Sequence, residues 1–178
     1  MDDKEPHNYI NDDLPPEEIL MVLGVLPKRW GRMDRISRLA VVETGRALKA
    51  AGILRFEKGL QVITGRGGLI GVTSRGSLAT DLAYAATFKQ GPEIASPILF
   101  SYTLPNTALA EAASHYGLTG PVYSLFSEEE GTDGSLEAKR WLAEDPGLDF
   151  MVAGKLDVYP DLSDTDVEII SVNFKIVS

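Results

Sequence analysis

The stretch that decides the fold reads Ser96-Pro97-Ile98-Leu99-Phe100-Ser101-Tyr102-Thr103-Leu104-Pro105-Asn106, an Ala-rich segment to Tyr116, then Gly117-Leu118-Thr119-Gly120-Pro121, an apolar run to Phe126, and the acidic turn Glu128-Glu129-Glu130-Gly131. Proline fixes φ and glycine permits φ > 0, so these residues specify a sharp start and stop around a helix over Thr107 to Tyr116. Val122-Tyr123-Ser124-Leu125-Phe126 follows as a strand. Past the acidic turn, Leu136, Lys139, Trp141 and Leu142 read as a helix with two possible starts. One is an S-x-x-E capping box at Ser127-Glu128-Glu129-Glu130; the other is a cap at Thr132 or Asp133. The next strand is Asp149-Phe150-Met151-Val152-Ala153-Gly154.

Upstream, Lys28 to Gly52 reads as one helix. Ile36, Leu39, Ala40, Val42, Ala47, Leu48 and Ala51 form an apolar stripe, and Gly52 sits where a C-terminal cap belongs. Leu60-Gln61-Val62-Ile63-Thr64 is β-branched and short, as a buried parallel strand would be. The Gly65-Arg66-Gly67-Gly68-Leu69-Ile70-Gly71 run after it invites a phosphate-loop reading, but Ile70 stands at the third glycine of G-x-G-x-x-G and no Walker Lys-Ser/Thr follows. Gly76 to Lys89 reads as an amphipathic helix.

The ends are acidic. Residues 1–16 carry Asp2, Asp3, Glu5, Asp12, Asp13 and Pro6, Pro15 and Pro16, which predicts a loosely docked arm with a weak strand at Asn8-Tyr9-Ile10. Glu17 to Leu26 is a short helix or docking segment, limited by Gly24 and Pro27. Residues 1–27 therefore form an acidic arm and docking segment, and residues 28–178 the domain. At the other end Val167 to Val177 alternates after Ser171, with Val172, Phe174 and Ile176 on one face and Asn173 and Lys175 on the other.

Composition narrows the chemistry. The chain has 178 residues, 44% of them hydrophobic, enough for one sizeable core. It has no cysteine, which removes disulfides, thiolate metal sites and a cysteine nucleophile together. His7 and His115 are the only histidines, a poor supply for a metal cluster or a Ser-His-Asp triad; the expectation is no metal and no cofactor. The net charge of −9 argues against nucleic acid or an anionic membrane as partner. With no apolar run of about 18 residues and an acidic N-terminus, the expectation is a soluble, cytoplasmic protein. Basic residues collect at Lys28, Arg29, Arg32, Arg35, Arg38 and Arg46, which as a bare pattern is a solvated helix face.

Several motifs resemble the β-ketoacyl synthases of the thiolase superfamily. Arg32-Met33-Asp34-Arg35-Ile36-Ser37-Arg38-Leu39-Ala40, running on to Ala47-Leu48-Lys49-Ala50-Ala51-Gly52-Ile53, looks like their "R-M-D-R-x-S-R-L-A … A-L-x-x-A-G-I" helix. Ser96, Pro97, Phe100, Pro105, Asn106, Gly117, Leu118, Gly120 and Pro121 match "S-P-x-x-F-x-x-x-x-P-N … G-L-x-G-P". The resemblance covers about Lys28 to Tyr159 and implies an α/β fold: a thiolase-like half-domain with a mixed, mostly parallel sheet between helices in α/β/α layers. In that family the strand matching Val122 to Phe126 leads into the nucleophilic cysteine at a helix N-terminus, where thiol pKa falls and backbone N–H groups meet the oxyanion. Aligned without gaps between Gly120-Pro121 and the strand at Asp149, that position falls on Glu129. A carboxylate is a poor nucleophile toward a thioester, and neither His7 nor His115 matches a catalytic histidine of the family.

The resemblance therefore implies a catalytically inactive, ketosynthase-like subunit, a structural or interaction component of fatty-acid, polyketide or related acyl-chain synthesis. The alternative is a decarboxylase or acyl-binding component completed by a second ketosynthase-like chain. A small-nucleotide binder would rest on Gly65 to Gly71 alone. Ketosynthase halves pack on each other through a helical layer, so a lone half is expected to expose an apolar helical face and to need a partner. The candidate interface is Val122, Tyr123, Ser124, Leu125 and Phe126, in a homodimer or a heterodimer with a ketosynthase-like subunit. Lys28, Arg29, Arg32 and Arg35 are the candidate contact for an acidic acyl carrier protein.

Overall fold

The start of the long N-terminal helix is fixed by Asp34, whose carboxylate accepts from Ser37 N at 3.1 Å. In the computed structural model, which describes residues 16–161 and 168–178, that helix is Arg35–Ala50 (α2). It begins later than the expected Lys28, because Met33 and Asp34 are extended and Trp30–Arg32 form a separate 3-10 turn. An N-cap aspartate satisfies an otherwise orphaned amide, and it is this bond that sets the boundary. The helix ends as its glycine predicts: Gly52 has φ 71°, Ile53 N reaches Leu48 O at 2.9 Å and Gly52 N reaches Lys49 O at 3.0 Å. Before it, Pro16–Leu23 (α1) buries Val22 and Leu23 in the same core; Asn8-Tyr9-Ile10 lie outside the described residues.

The sheet also departs from expectation. Leu60–Ile63 (β2) is not one of its strands; it pairs antiparallel with Leu54–Glu57 (β1) in a separate, largely exposed hairpin. Lys58 and Gly59 both take positive φ, 51° and 80°, the conformation a two-residue hairpin turn requires. The buried strand is instead the glycine-rich Gly67–Thr73 (β3), with every residue buried. Its glycines are where neighbours come close: a Cβ on Gly67 would lie 2.1 Å from the Phe150 ring, and one on Gly68 2.5 Å from Pro121 O.

The sheet runs in the order β4-β3-β5-β6, where β4 is Val122–Phe126, β5 is Phe150–Pro160 and β6 is Glu168–Val177. β4 and β5 are parallel to β3 and β6 is antiparallel to β5, the mixed, mostly parallel arrangement expected. Helices cover both faces. α2 and Pro105–Tyr116 (α5) pack over Leu69, Val152, Leu156 and Val172, while Ser135–Glu144 (α6) packs over Ile70, Met151 and Ala153. This is an α/β/α layering with β4 and β6 at the ends of the sheet.

The helix after the acidic turn begins at Ser135, so the capping box at Ser127 is not formed. The N-cap position is Gly134, at φ 74°, and Asp133 just before it accepts from Ser135 N at 3.0 Å. The outer row of α6 is Leu136, Lys139, Arg140, Ala143 and Glu144, and Arg140 pairs with Glu144 at 2.9 Å and Glu137 at 3.7 Å. The expected apolar helical face is therefore not on α6, whose outer surface is largely charged. It lies on Leu78–Thr87 (α3) and Pro97–Ser101 (α4), which carry or border exposed Leu82, Phe88, Ile98, Phe100 and Leu104.

Candidate functional site at the carboxyl ends of the parallel strands

Three parallel strands finish together, with Thr73 of β3 opposite Phe126 of β4 and Val72 opposite Lys155 of β5. Loops leaving such ends are where an α/β sheet places its chemistry. Here the centre is Asp157, a buried residue on β5. Its Oδ1 accepts from Thr73 Oγ1 at 2.7 Å, Ser74 N at 2.9 Å and Arg75 N at 3.1 Å, and its Oδ2 accepts from Ser74 Oγ at 3.0 Å. Thr73 Oγ1 in turn accepts from Gly76 N at 2.7 Å. One carboxylate thus fastens the whole β3–α3 connection. It is a pairing between residues far apart in sequence, and its only trace in the chain is an aspartate inside an apolar strand.

That connection holds the acidic turn. Ser127 N donates to Thr73 O at 3.0 Å, and Arg75 reaches Glu128 at 3.3 Å. Within the turn, Glu129 N donates to Ser127 Oγ at 3.2 Å and Thr132 N to Glu129 O at 3.3 Å. Glu128, Glu129, Glu130 and Gly131 are all exposed. Glu129 does not stand at a helix N-terminus, since α6 begins only at Ser135, and its carboxylate has no hydrogen bond among the described residues. A water-facing carboxylate away from a helix N-terminus has no aimed backbone N–H groups of the kind an oxyanion site needs.

The far end of the turn is pinned by Lys175 of β6, 2.6 Å from Asp133 Oδ2. Burial alone would raise the Asp133 carboxyl, but the hydrogen bonds from Lys175 and Ser135 outweigh it and hold it below its ordinary 3.8. A depressed carboxyl stabilises the fold above its unfolded pKa and loses that contribution as pH falls through the lower folded value. Lys175→Met is therefore expected to cost up to about 1 kcal/mol near neutrality, the pair being part-exposed. Urea titrations of both chains should converge as pH falls through the lowered folded pKa of Asp133, where the carboxyl is protonated in either state; an undiminished gap there would contradict the pairing.

The other predicted positions are dispersed. Arg29 pairs with the buried Glu111 at 2.7 Å, and Glu111 also accepts from Tyr102 OH at 3.2 Å. Arg29 and Glu111 line a cleft of about 420 Å³ with Lys28, Met33 and His115. Burial, and then Glu111, push the Tyr102 hydroxyl pKa up. Arg35 instead pairs with Glu168. Lys28 and Arg32 are exposed and form no ion pair among the described residues. His115 is packed edge-on to Tyr116 at 4.7 Å, and burial lowers its pKa. The glycine run offers no open anion cradle: Arg66 N is already bonded to Asp149 Oδ2 at 2.7 Å, and the run leads into a strand rather than a helix N-terminus.

The candidate interface strand β4 is half-buried up to Leu125, and Phe126 is exposed. Tyr123 OH is held by Glu137 and by Trp141 Nε1, each at 2.6 Å. On the outer edge, Asn106 Oδ1 accepts from both Ser124 N and Ser124 Oγ, each at 2.7 Å.

No curated protein matches the chain. Among solved structures it is similar to "The ishigamide ketosynthase/chain length factor", at 19% identity with a TM-score of 0.57. The match covers 82% of this chain and 39% of that one, so this chain spans well under half of that protein's length. At that identity the likeness bears on fold. Residues 21–129 match the family described as "Beta-ketoacyl synthase, N-terminal domain", a range that takes in α2, the buried glycine strand, α5 and β4. The chain belongs to the β-ketoacyl synthase family, of which it carries the N-terminal domain.

Proposed function

We propose that this domain is a ketosynthase-like subunit with no acyl-transfer chemistry of its own, a structural or interaction component of polyketide, fatty-acid or related acyl-chain assembly. The observation that carries the reading is the rebuilt turn after β4. In a chain without cysteine, the position aligned with the family's nucleophile is Glu129, exposed and away from the helix N-terminus. The tethers on that turn, Arg75 to Glu128 and Lys175 to Asp133, suit a surface element better than a pocket that receives a thioester. The charged outer row of α6 weighs against completion by a second, histidine-bearing half, which would have to desolvate Lys139, Arg140 and Glu144. The partner side is the β4 side of the sheet, in a homodimer or with a ketosynthase-like subunit. Lys28 and Arg32, exposed beside the Arg29 cleft, are the contact for an acidic carrier protein.

Incubation with acyl and malonyl carrier proteins, followed by intact-mass spectrometry, tests the chemistry. The expected spectrum shows no acyl adduct on the chain; an acylated peptide containing Glu129 would overturn the reading.

A further inference from the structure

A cavity of about 170 Å³ lies where the first turns of α2 and α3 meet α4 and the adjoining ends of β5 and β6. Ile36, Ala79, Leu99 and Val158 make its walls, with Ile36 and Val158 buried in the core, so most of what it presents is hydrocarbon. The polar side chains beside them are already engaged within the protein. Asp34 accepts from Ser37 N at 3.1 Å and from Thr80 Oγ1 at 2.6 Å, and Ser77 Oγ donates to Thr103 O. A dry apolar cavity of about 150 Å³ takes benzene, so the space here suits about six carbons.

The open side is marked by exposed Ala83 and by the part-exposed pair Arg35 and Glu168. Among the described residues that pair joins one guanidinium nitrogen to one carboxylate oxygen, Arg35 Nη1 to Glu168 Oε2. Arg35 keeps further N–H donors and Glu168 a second acceptor oxygen. Their charges cancel, which favours an uncharged head group: an anion would face Glu168 and Asp34, and a cation would face Arg35. The head that suits both accepts from the arginine and donates to the glutamate. A carboxamide does so with one planar group.

We propose that this cavity binds a short aliphatic carboxamide, its chain of about six carbons against Ile36, Leu99 and Val158 and its amide at Arg35 and Glu168. The cavity shares no lining residue with the Arg29 cleft or the acidic turn, so it stands apart from the acyl-assembly reading.

Methyl NMR titration of the full chain with hexanamide tests this. The Ile36, Leu99 and Val158 methyl signals are expected to move and saturate with a Kd of about 1 mM, the range for a ligand this small. Butanamide should bind roughly ten-fold more weakly for its two lost methylenes, and octanamide no more tightly than hexanamide. Hexanoate and hexylamine should each bind about ten-fold more weakly, since each makes only half of the pairing at the mouth. Ala79→Leu, its fold checked by circular dichroism, should fill the cavity and abolish the shifts. Unmoved methyls up to about 20 mM hexanamide, affinities indifferent to chain length, hexanoate as tight as hexanamide, or a folded Ala79→Leu chain that binds as wild type does would each overturn the proposal. The ligand series is run on the wild-type chain, so it decides the matter even where a variant fails to fold.

Discussion

Gly154→Ala is expected to destabilise the domain by about 3 kcal/mol, the upper end of the usual overpacking cost. Gly154 is flanked in the sheet by Gly71 of β3 and Phe174 of β6. A Cβ there would lie 1.8 Å from Asn173 O and 2.7 Å from its carbonyl carbon. Both are backbone atoms of the antiparallel partner, so no rotamer change relieves the clash and β6 itself must move. At this chain length the loss should lower Tm by roughly 6–12 °C. Gly71→Ala is the comparison, because its nearest neighbour is the tip of the Leu109 side chain at 2.9 Å, which can turn aside. Thermal unfolding followed by circular dichroism should rank Gly154→Ala well below Gly71→Ala; equal melting would mean that β5 and β6 do not pack as closely as described.

Asp157→Ala should be comparably damaging, at about 4 kcal/mol, since it leaves Ser74 N, Arg75 N and Thr73 Oγ1 without their acceptor near the core. Asp157→Asn keeps one oxygen for those three donors and should cost only about 1–2 kcal/mol. Urea unfolding midpoints at constant m-value would separate the two. The consequence reaches the acidic turn. Thr73 anchors Ser127 N and Arg75 pairs with Glu128, so the alanine variant should also speed amide exchange at Ser127 and Glu129. Equal stability of the alanine and asparagine variants would show that the carboxylate is not the fastening.

How much of this the sequence discloses depends on whether the determinants are local. The boundaries of α5 follow from Pro105 and from Gly117, which takes φ 64°; both act within one turn of chain. The alternation after Ser171 likewise places Val172 and Phe174 toward the core. The sheet's central strand is misplaced in the sequence because β-branched content favours Leu60 to Thr64, whereas the structure selects Gly67–Thr73 for its lack of side-chain bulk beside Phe150, Pro121 and Leu109. That preference becomes visible only once the neighbours are known. The start of α2 is readable in principle, Asp34 preceding Ser37 in a capping arrangement, but the run of charges from Lys28 masks it. For the candidate site, Glu129 can be placed by alignment from Gly120-Pro121, while the Asp157 network cannot. Its members lie on β3 and β5, and only the fold makes them neighbours.

The partner surfaces divide in the same way. β4 is an apolar edge strand, as its sequence suggests, but the Asn106 carboxamide that covers Ser124 comes from another element. The charge on α6 is legible residue by residue; that it points outward is not.

The role in acyl-chain assembly is decided by purifying the chain from its native source at moderate salt, with mass by light scattering and composition by peptide mass spectrometry. An interaction subunit of acyl-chain assembly should bring down a ketosynthase or an acyl carrier protein in stoichiometric amount, and Lys28→Glu with Arg32→Glu should release the carrier. Recovery of this chain alone, as monomer or homodimer with no acyl-transfer component bound, would contradict that role.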